Sequence, residues 1–329
     1  MIISRLKKIP ENFRRAGRVA DIVSPKTGLS RRYVMWDFIR SYFKYGSNEE
    51  DYIGLEFYKK SESEKNRFTT FKRNYHNILR YHYKREDITI LDNKDLFNEK
   101  FKDFINRKWI STKNSNADQI RKFINKLGDV IVKPLSGIGG KGVYKLKSSN
   151  VAKIEEFLSD VTKGRHYIVE ELIKQHPDMA YFNESSVNTC RIETVMDKNG
   201  NVQLINTIVI IGGVGSDVSN THNGGVMVHV DPESGIVDSK GRNPEGKFYL
   251  HHPGNGVLLI GKKIPYWKEV LDYAKKLHKN IPNAPYIGWD IAITEDGPTV
   301  IEGNSDLGHC TQACDMVGRW DQIKTYLGI

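Results

Sequence analysis

Cysteine is scarce in this chain: Cys190, Cys310 and Cys314 are the three among 329 residues. A small, odd number in a long chain argues against a disulfide framework. His309, Cys310 and Cys314 lie close together, but a zinc centre draws four ligands, usually from two paired motifs, and the chain offers no second pair. Long apolar runs are also missing, and none approaches the roughly 20 residues that cross a bilayer. The opening MIISRLKKIP is basic, without a long apolar stretch or a small-residue cleavage pattern. It reads as no signal peptide, so a cytoplasmic location is expected. Internal repeats, low-complexity tracts and nucleic-acid-binding motifs are absent, and no nucleic-acid partner is expected. No Ser-His-Asp or Cys-His arrangement stands out for nucleophilic catalysis.

What is present is an ordinary globular balance, 39% hydrophobic and 27% charged residues, long enough for roughly two domains of about 150 residues. The charge is unevenly placed. Residues 1–90 carry 20 Lys and Arg against 11 Asp and Glu, and so hold +9 of the net +10. The run Arg31-Arg32-Tyr33-Val34-Met35-Trp36 interleaves cations with aromatics. It suits an anionic membrane, at whose inner face the protein would sit, or an acidic sugar; the plainer alternative is a solvated helical surface. Residues 1–90 read as a helical, basic region, with Phe68, Phe71, Tyr75, Leu79 and Tyr83 on one helix face.

Beyond residue 88 helices and strands alternate. Residues 88–91 read as a short strand, and 95–108 and 117–127 as helices, the second ended by Gly128. Strands are expected at 129–134 and 144–147, a helix at 151–158 and a strand at 167–171. Two strands, 191–196 and 202–211, should turn at Asn199-Gly200. Hairpins at 226–230/235–237 and 287–293/298–302 and a helix at 266–277 complete an α+β order.

Two constellations carry chemistry. In Lys133-Pro134-Leu135-Ser136-Gly137-Ile138-Gly139-Gly140-Lys141-Gly142, four glycines fall within six residues, which lets backbone amides wrap an anion between two lysines. A P-loop would continue Lys141 with Ser or Thr and a helix, and a dinucleotide fingerprint would also open a helix. Here a strand follows, so the loop is expected to fold down over phosphates; the alternative is a flexible hairpin. The second constellation is the hairpin bearing Asp290, Glu302 and Asn304. Unpaired carboxylates in apolar runs are costly, and Mg²⁺ would relieve that cost by taking these oxygens and substrate phosphates. Two carboxylates at strand ends on the surface are the other reading. Strand alternation puts Asp290, Ala292 and Thr294 on one face and separates Thr299 and Ile301 from Val300 and Glu302.

In the order and spacing of these motifs, over roughly residues 30–308, the chain resembles the ATP-grasp superfamily, and within it the sugar-transfer branch of bacterial polysaccharide loci. The resemblance implies two α+β subdomains clasping ATP: residues 91–329 after a helical region 1–90, with the glycine loop in about 115–173 and the metal and acceptor residues in about 174–329. Lys133 then contacts the ATP α-phosphate and adenine. The loop of Ser136, Gly137, Gly139, Gly140, Lys141 and Gly142 covers the β- and γ-phosphates. Glu170 is the hinge acid beside the adenine amino group, and the backbones of Glu171 and Ile173 bond its edge. Lys94 is an earlier nucleotide lysine, and Asp178 a candidate for the ribose. Asp290, Glu302 and Asn304 hold two Mg²⁺ ions, Glu302 bridging. Residues 188–192, 223–225, 252–253 and 288–290 also resemble that branch. Residues 305–308 depart from the proline-glycine acceptor loop of many ligases.

The implied activity is a ligase that converts a carboxylate into an acyl-phosphate and joins it to an amine, acting on a uronic acid or nucleotide-sugar. Arg191, with Lys133 and Lys141, would stabilise the transferring phosphoryl group; His222, His252 or Asp217 would take the amine proton. A kinase on the same scaffold and a non-catalytic ATP-binding scaffold are the rival readings.

Overall fold

The computed structural model describes residues 9–74, 78, 84–137, 141–215, 224–305 and 309–329. Its first layer is an antiparallel pair of helices, α1 (Ile9–Thr27) and α2 (Arg31–Lys44). Ser30 caps α2, its side chain accepting from the Tyr33 amide. The inward stripe Ala16, Val19, Ala20 and Val23 meets Val34 and Phe38 at the helical period, and both pack on Tyr52, Phe57 and Phe68. Asp37 is buried here and held by Lys65 at 2.6 Å and the Tyr52 hydroxyl at 2.8 Å. Ala313 belongs to the same core, so the first helices fold against a segment from near the other end of the chain. Tyr75 and residues 79 and 83 of the expected aromatic face lie outside the described residues.

Residues 88–91 are not a strand: they belong to helix α3 (Arg85–Asp92). Their β-branched character is overridden because Leu91 is buried in the core of the neighbouring sheet with Ile90 packed partly against it, and Glu86 and Asp87 suit a helix N-terminus. The helix expected over 95–108 stops early. Helix α4 (Lys94–Lys100), capped by Asn93, gives way to a 3₁₀ turn at Lys102–Phe104 and then to an unforeseen strand, β1 (Trp109–Ser111).

Four strands form the smaller sheet: β1, then β2 (Val130–Pro134), β3 (Tyr144–Leu146) and β4 (Tyr167–Glu171), antiparallel in the order β1-β4-β2-β3. Helices α5 (Ala117–Leu127) and α6 (Val151–Thr162) cover one face with Ile120, Ile124, Ile154 and Phe157. The start of α5 is a reciprocal capping box between Asn116 and Gln119, and Gly128 ends it at φ +84°.

The larger sheet has seven antiparallel strands in the order β11-β10-β5-β6-β7-β8-β9. These are β5 (Thr189–Met196), β6 (Val202–Ile211), β7 (Val226–His229), β8 (Gly241–Arg242), β9 (Phe248–Tyr249), β10 (Tyr286–Thr294) and β11 (Gly297–Asn304). One face is apolar: Ile192, Val209 and Ile291 pack under helix α7 (Trp267–Lys279). Leu91, Phe97 and Phe101 from α3 and α4 and the loop beyond join this core, so these helices belong with the larger sheet although they precede the smaller one. The hairpin expected at 226–230/235–237 is reduced to a bridge between Val230 and Val237. A last helix, α8 (Trp320–Leu327), packs by Trp320 and Ile323 against Val195 and Ile205.

Candidate active site

The opposite face of the larger sheet carries the charged residues. In an antiparallel sheet, residues in register share a face. Asp290 on β10 lies opposite Arg191 on β5, and on its other side opposite Glu302 on β11. Plain alternation counted from the turn would give Asp290 the neighbour Ile301. A β-bulge at Asp290/Ile291 skips that residue and brings Glu302 onto the same face. Asn304, opposite Gly288, follows two residues on; its side-chain nitrogen lies 3.3 Å from Asp290 Oδ2. The structure thus brings Asp290, Glu302, Asn304 and Arg191 together.

Arg191 grips Asp290 with two bonds, Nε to Oδ1 at 2.6 Å and Nη2 to Oδ2 at 2.7 Å. This fork is the strong form of a charge-assisted bond, and it answers the cost of burying Asp290. Burial works against the charged guanidinium, but Asp290 outweighs it and keeps Arg191 well above its usual pKa. Glu302 makes no hydrogen bond or ion pair among the described residues. Burial and then the Asp290 charge push its carboxyl up, against the pull of Lys94, Arg191 and Lys133. Two carboxylates and an amide are hard oxygen donors of the kind magnesium takes. Since Asp290 and Glu302 repel one another while buried, this donor set fits a divalent cation.

The smaller sheet presents the complementary half. Lys133, at the end of β2, lies 2.5 Å from Glu170 Oε2 on β4. Glu170 is buried and also accepts from Arg107 Nη2 and Asn98 Nδ2, both at 2.9 Å. Burial alone would raise the Glu170 carboxyl, but Arg107 and Lys133 hold it far below the usual range. Arg107 donates a further bond to the Val300 carbonyl of β11 at 2.7 Å and so stitches the two sheets together. Lys94, half-buried at the start of α4, closes the cluster: burial lowers its pKa, and the Glu302 carboxylate is the first charge pulling it back. Its backbone amide bonds to Leu135 O at 3.1 Å, at the mouth of the glycine loop.

Arg107 and Asn98 were not foreseen. The signal that could have raised them is Glu170 itself, a carboxylate within the apolar strand Tyr167–Glu171, which needs cations wherever they come from.

The loop is described only in part. Ser136, Gly137 and Lys141 are exposed, Gly142 has φ +78°, and Gly139 and Gly140 lie outside the described residues. Glu171 receives the Lys108 amide on its side chain at 3.0 Å and donates its own amide to Lys108 O at 2.9 Å; Ile173 follows in the irregular segment after β4. Asp178 does not join the cluster. It is exposed near the Thr294 turn, where the His176 amide bonds to Ile293 O, at the far end of the hairpin from Glu302. His252 is buried beside Gly212, and burial lowers its pKa; His222 and Asp217 lie outside the described residues. Asn188 is a structural residue whose side-chain nitrogen bonds to the Met179 and Asn183 carbonyls at 2.8 Å.

A family model described as sugar-transfer associated ATP-grasp matches residues 72–321. No curated protein matches the chain. Among solved structures, the chain is similar to the ATP-grasp ligase PsnB complexed with a minimal precursor, with 17% identity, 72% of this chain and 63% of that one covered, and a TM-score of 0.43. It is similar to D-alanyl-alanine synthetase A from Vibrio cholerae O1 biovar eltor at 14% identity, covering 67% and 56%, TM-score 0.43. An ADP complex of purK, N5-carboxyaminoimidazole ribonucleotide synthetase, matches at 12% identity, covering 70% and 52%, TM-score 0.43. The chain thus spans between about half and two thirds of the length of these structures.

Proposed function

The chain belongs to the sugar-transfer associated ATP-grasp family, and from that premise we propose that it is an ATP-dependent carboxylate–amine ligase working through an acyl-phosphate. The observation that carries this reading is the buried seam of charge. Lys94 on α4 and Lys133 on the smaller sheet both act on Glu302, beside Asp290 on the larger sheet, where Arg107 ties the two sheets together.

In the proposed reaction, a substrate carboxylate oxygen attacks the γ-phosphorus of ATP, and the β–γ bridging bond breaks to leave ADP. The amine then attacks the acyl carbon and inorganic phosphate departs with the carbonyl–phosphate bond pair; the amine proton passes to solvent or a base. Negative charge spread over the phosphoryl oxygens dominates the barrier, so fixed cations suffice. Lys133, held rigid by Glu170, serves the α-phosphate and adenine; Lys94 adds charge at the same edge. Ser136, Gly137, Gly139, Gly140, Lys141 and Gly142 close over the outer phosphates. The backbones of Glu171 and Ile173 line the adenine edge, with Glu170 as the hinge acid; Asp178, exposed at the far end of the hairpin, has no part in this reading. Arg191, whose fork holds Asp290, would orient that carboxylate and add positive charge for the transferring group. Asp290, Glu302 and Asn304 would hold Mg²⁺, which would supply Lewis-acid charge neutralisation of the phosphates.

The substrates proposed are an acidic sugar or nucleotide-sugar and an amine, in surface polysaccharide assembly at the cytoplasmic face of the membrane. The basic residues of 1–90 support an acidic substrate. The test measures ADP and phosphate release from ATP and Mg²⁺ against panels of uronic acids, nucleotide-uronic acids and amines. Release that needs both substrates, and is lost in Glu302→Gln and Lys133→Ala, supports the ligase. Phosphate retained on a hydroxyl product points to the kinase instead. ATP binding without turnover across the panel points to the scaffold.

A further inference from the structure

We propose that the outer face of α2, with the neighbouring face of α1, docks the protein on an anionic phospholipid surface. This goes beyond the ligase reading and does not depend on it.

A folded helix normally turns its large apolar side chains inward. α2 does so with Val34 and Phe38, yet it also carries a second aromatic set on the opposite side. Tyr33, Trp36 and Phe43 are 45%, 57% and 65% exposed. Their spacings of three and seven residues place them on one outward stripe with Arg40. Arg32 and Lys44 flank that stripe and are exposed. The exposed side of α1 adds Arg14, Arg18 and Lys26 around Ile22, which is 44% exposed.

The charges complement an anionic surface. Residues 9–44 carry eight Lys and Arg against three Asp and Glu, and Asp37 is buried and neutralised by Lys65; Arg15 and Arg18 pair with Glu49, Arg31 with Asp21, and Arg40 and Lys44 with Glu62. Arg14, Lys26 and Arg32 make no ion pair among the described residues, which leaves their charge to act outward. Arg40 lies over the Trp36 ring at 5.3 Å, so the ring and the cation form one amphipathic tip. Trp and Tyr favour the headgroup level of a bilayer, where an apolar body and a polar end are both satisfied. Basic residues at that depth add attraction to anionic lipid.

A single nucleic-acid strand is the less suitable occupant. Strand-binding proteins stack bases along a groove that tracks the backbone. Here the aromatics stand on the outward side of a helix buried on its other side, and an aliphatic residue, Ile22, shares the exposed surface. The helices are tied to the larger sheet through Arg242, which donates to Ala313 O at 2.7 Å and to Gly54 O. Docking by α2 would therefore carry the rest of the enzyme to the surface.

The test is co-sedimentation of the full chain with vesicles of phosphatidylcholine alone and of phosphatidylcholine mixed with phosphatidylglycerol. The protein should sediment with the mixed vesicles only, and added salt should weaken the binding. Trp36→Ser/Phe43→Ser should reduce partitioning at least about tenfold, and so should Arg14→Glu/Arg32→Glu. Trp36 emission, read as the difference between the native and Trp36→Phe proteins, should shift to the blue on mixed vesicles. No binding to the mixed vesicles overturns the proposal, as does binding that neither double variant changes. Tight binding of a single-stranded oligonucleotide in place of vesicles also overturns it. Urea unfolding of both double variants is read alongside, and midpoints like that of the native protein show that lost binding is not lost folding.

Discussion

Replacing Arg107 with methionine should loosen the joint between the two sheets. The guanidinium is almost wholly buried and makes two bonds that nothing nearby can replace, to Glu170 Oε1 at 2.9 Å and to Val300 O at 2.7 Å. Breaking a buried ion pair from one side costs about 3–5 kcal/mol. Lys133 and Asn98 remain on Glu170, which favours the lower end, about 3 kcal/mol. Methionine conserves most of the stem volume, so lost packing adds little. The assay is urea unfolding of the native protein, Arg107→Met, Glu170→Met and the double variant. Glu170→Met alone strands both Arg107 and Lys133, whereas the double variant strands only Lys133, so it should cost less than the two single losses together, by at least about 1.5 kcal/mol. A single-variant loss under about 1 kcal/mol, or strict additivity, would refute the reasoning. Arg107→Met should also raise the KM for ATP, because Glu170, freed of Arg107, holds Lys133 more tightly and leaves it less free for the nucleotide; an unchanged KM would separate stability from nucleotide binding.

Three further outcomes are expected. Glu302→Gln should lower turnover on the order of 100-fold or more and shift the Mg²⁺ requirement upward, since charge neutralisation at the phosphates is worth several kcal/mol; a magnesium titration with unchanged midpoint and rate contradicts the assignment. Gly288→Ala should lower turnover about tenfold, because the added Cβ would stand 3.2 Å from Arg191 Cδ and tilt the fork on Asp290; native turnover would show that Arg191 has room to yield. His278 is buried, with Nδ1 at 2.7 Å from Thr194 Oγ1 and Nε2 at 2.8 Å from Ala284 O, and burial lowers its pKa to about 4. Between that value and the ordinary 6.5 the unfolded chain binds more protons, so stability is full above 6.5 and falls as pH drops towards 4, by about 3 kcal/mol in all. Unfolding midpoints across this window should show the loss in the native protein and not in His278→Asn; equal pH dependence in both would remove His278 as its source.

The sequence by itself determined the local pieces. Helix α5 ends where Gly128 says it must, because the capping box and the glycine act within a few residues. Strands β2 and β4 and the hairpins around Asn199-Gly200 and Thr294–Gly297 were legible for the same reason: alternation and turn chemistry need no distant partner. The order of lysine, glycine loop, arginine and acids carried the family.

Distant contacts decided the rest. Ile88-Thr89-Ile90 looked like a strand until burial of Leu91 against the larger sheet made it a helix. Strand β1 is three residues long and exists because β4 pairs with it, about 60 residues on. Arg191 and Asp290 lie 99 residues apart, and Arg107 reaches Glu170 and Val300 over 63 and 193. No local pattern encodes such pairs, since buried charge is satisfied by whichever side chain the fold delivers. The bulge at Asp290/Ile291 is the sharpest case. Alternation alone leaves Asp290 and Glu302 on opposite faces, and only the paired sheet, by skipping Ile301, places both carboxylates on one side of the seam.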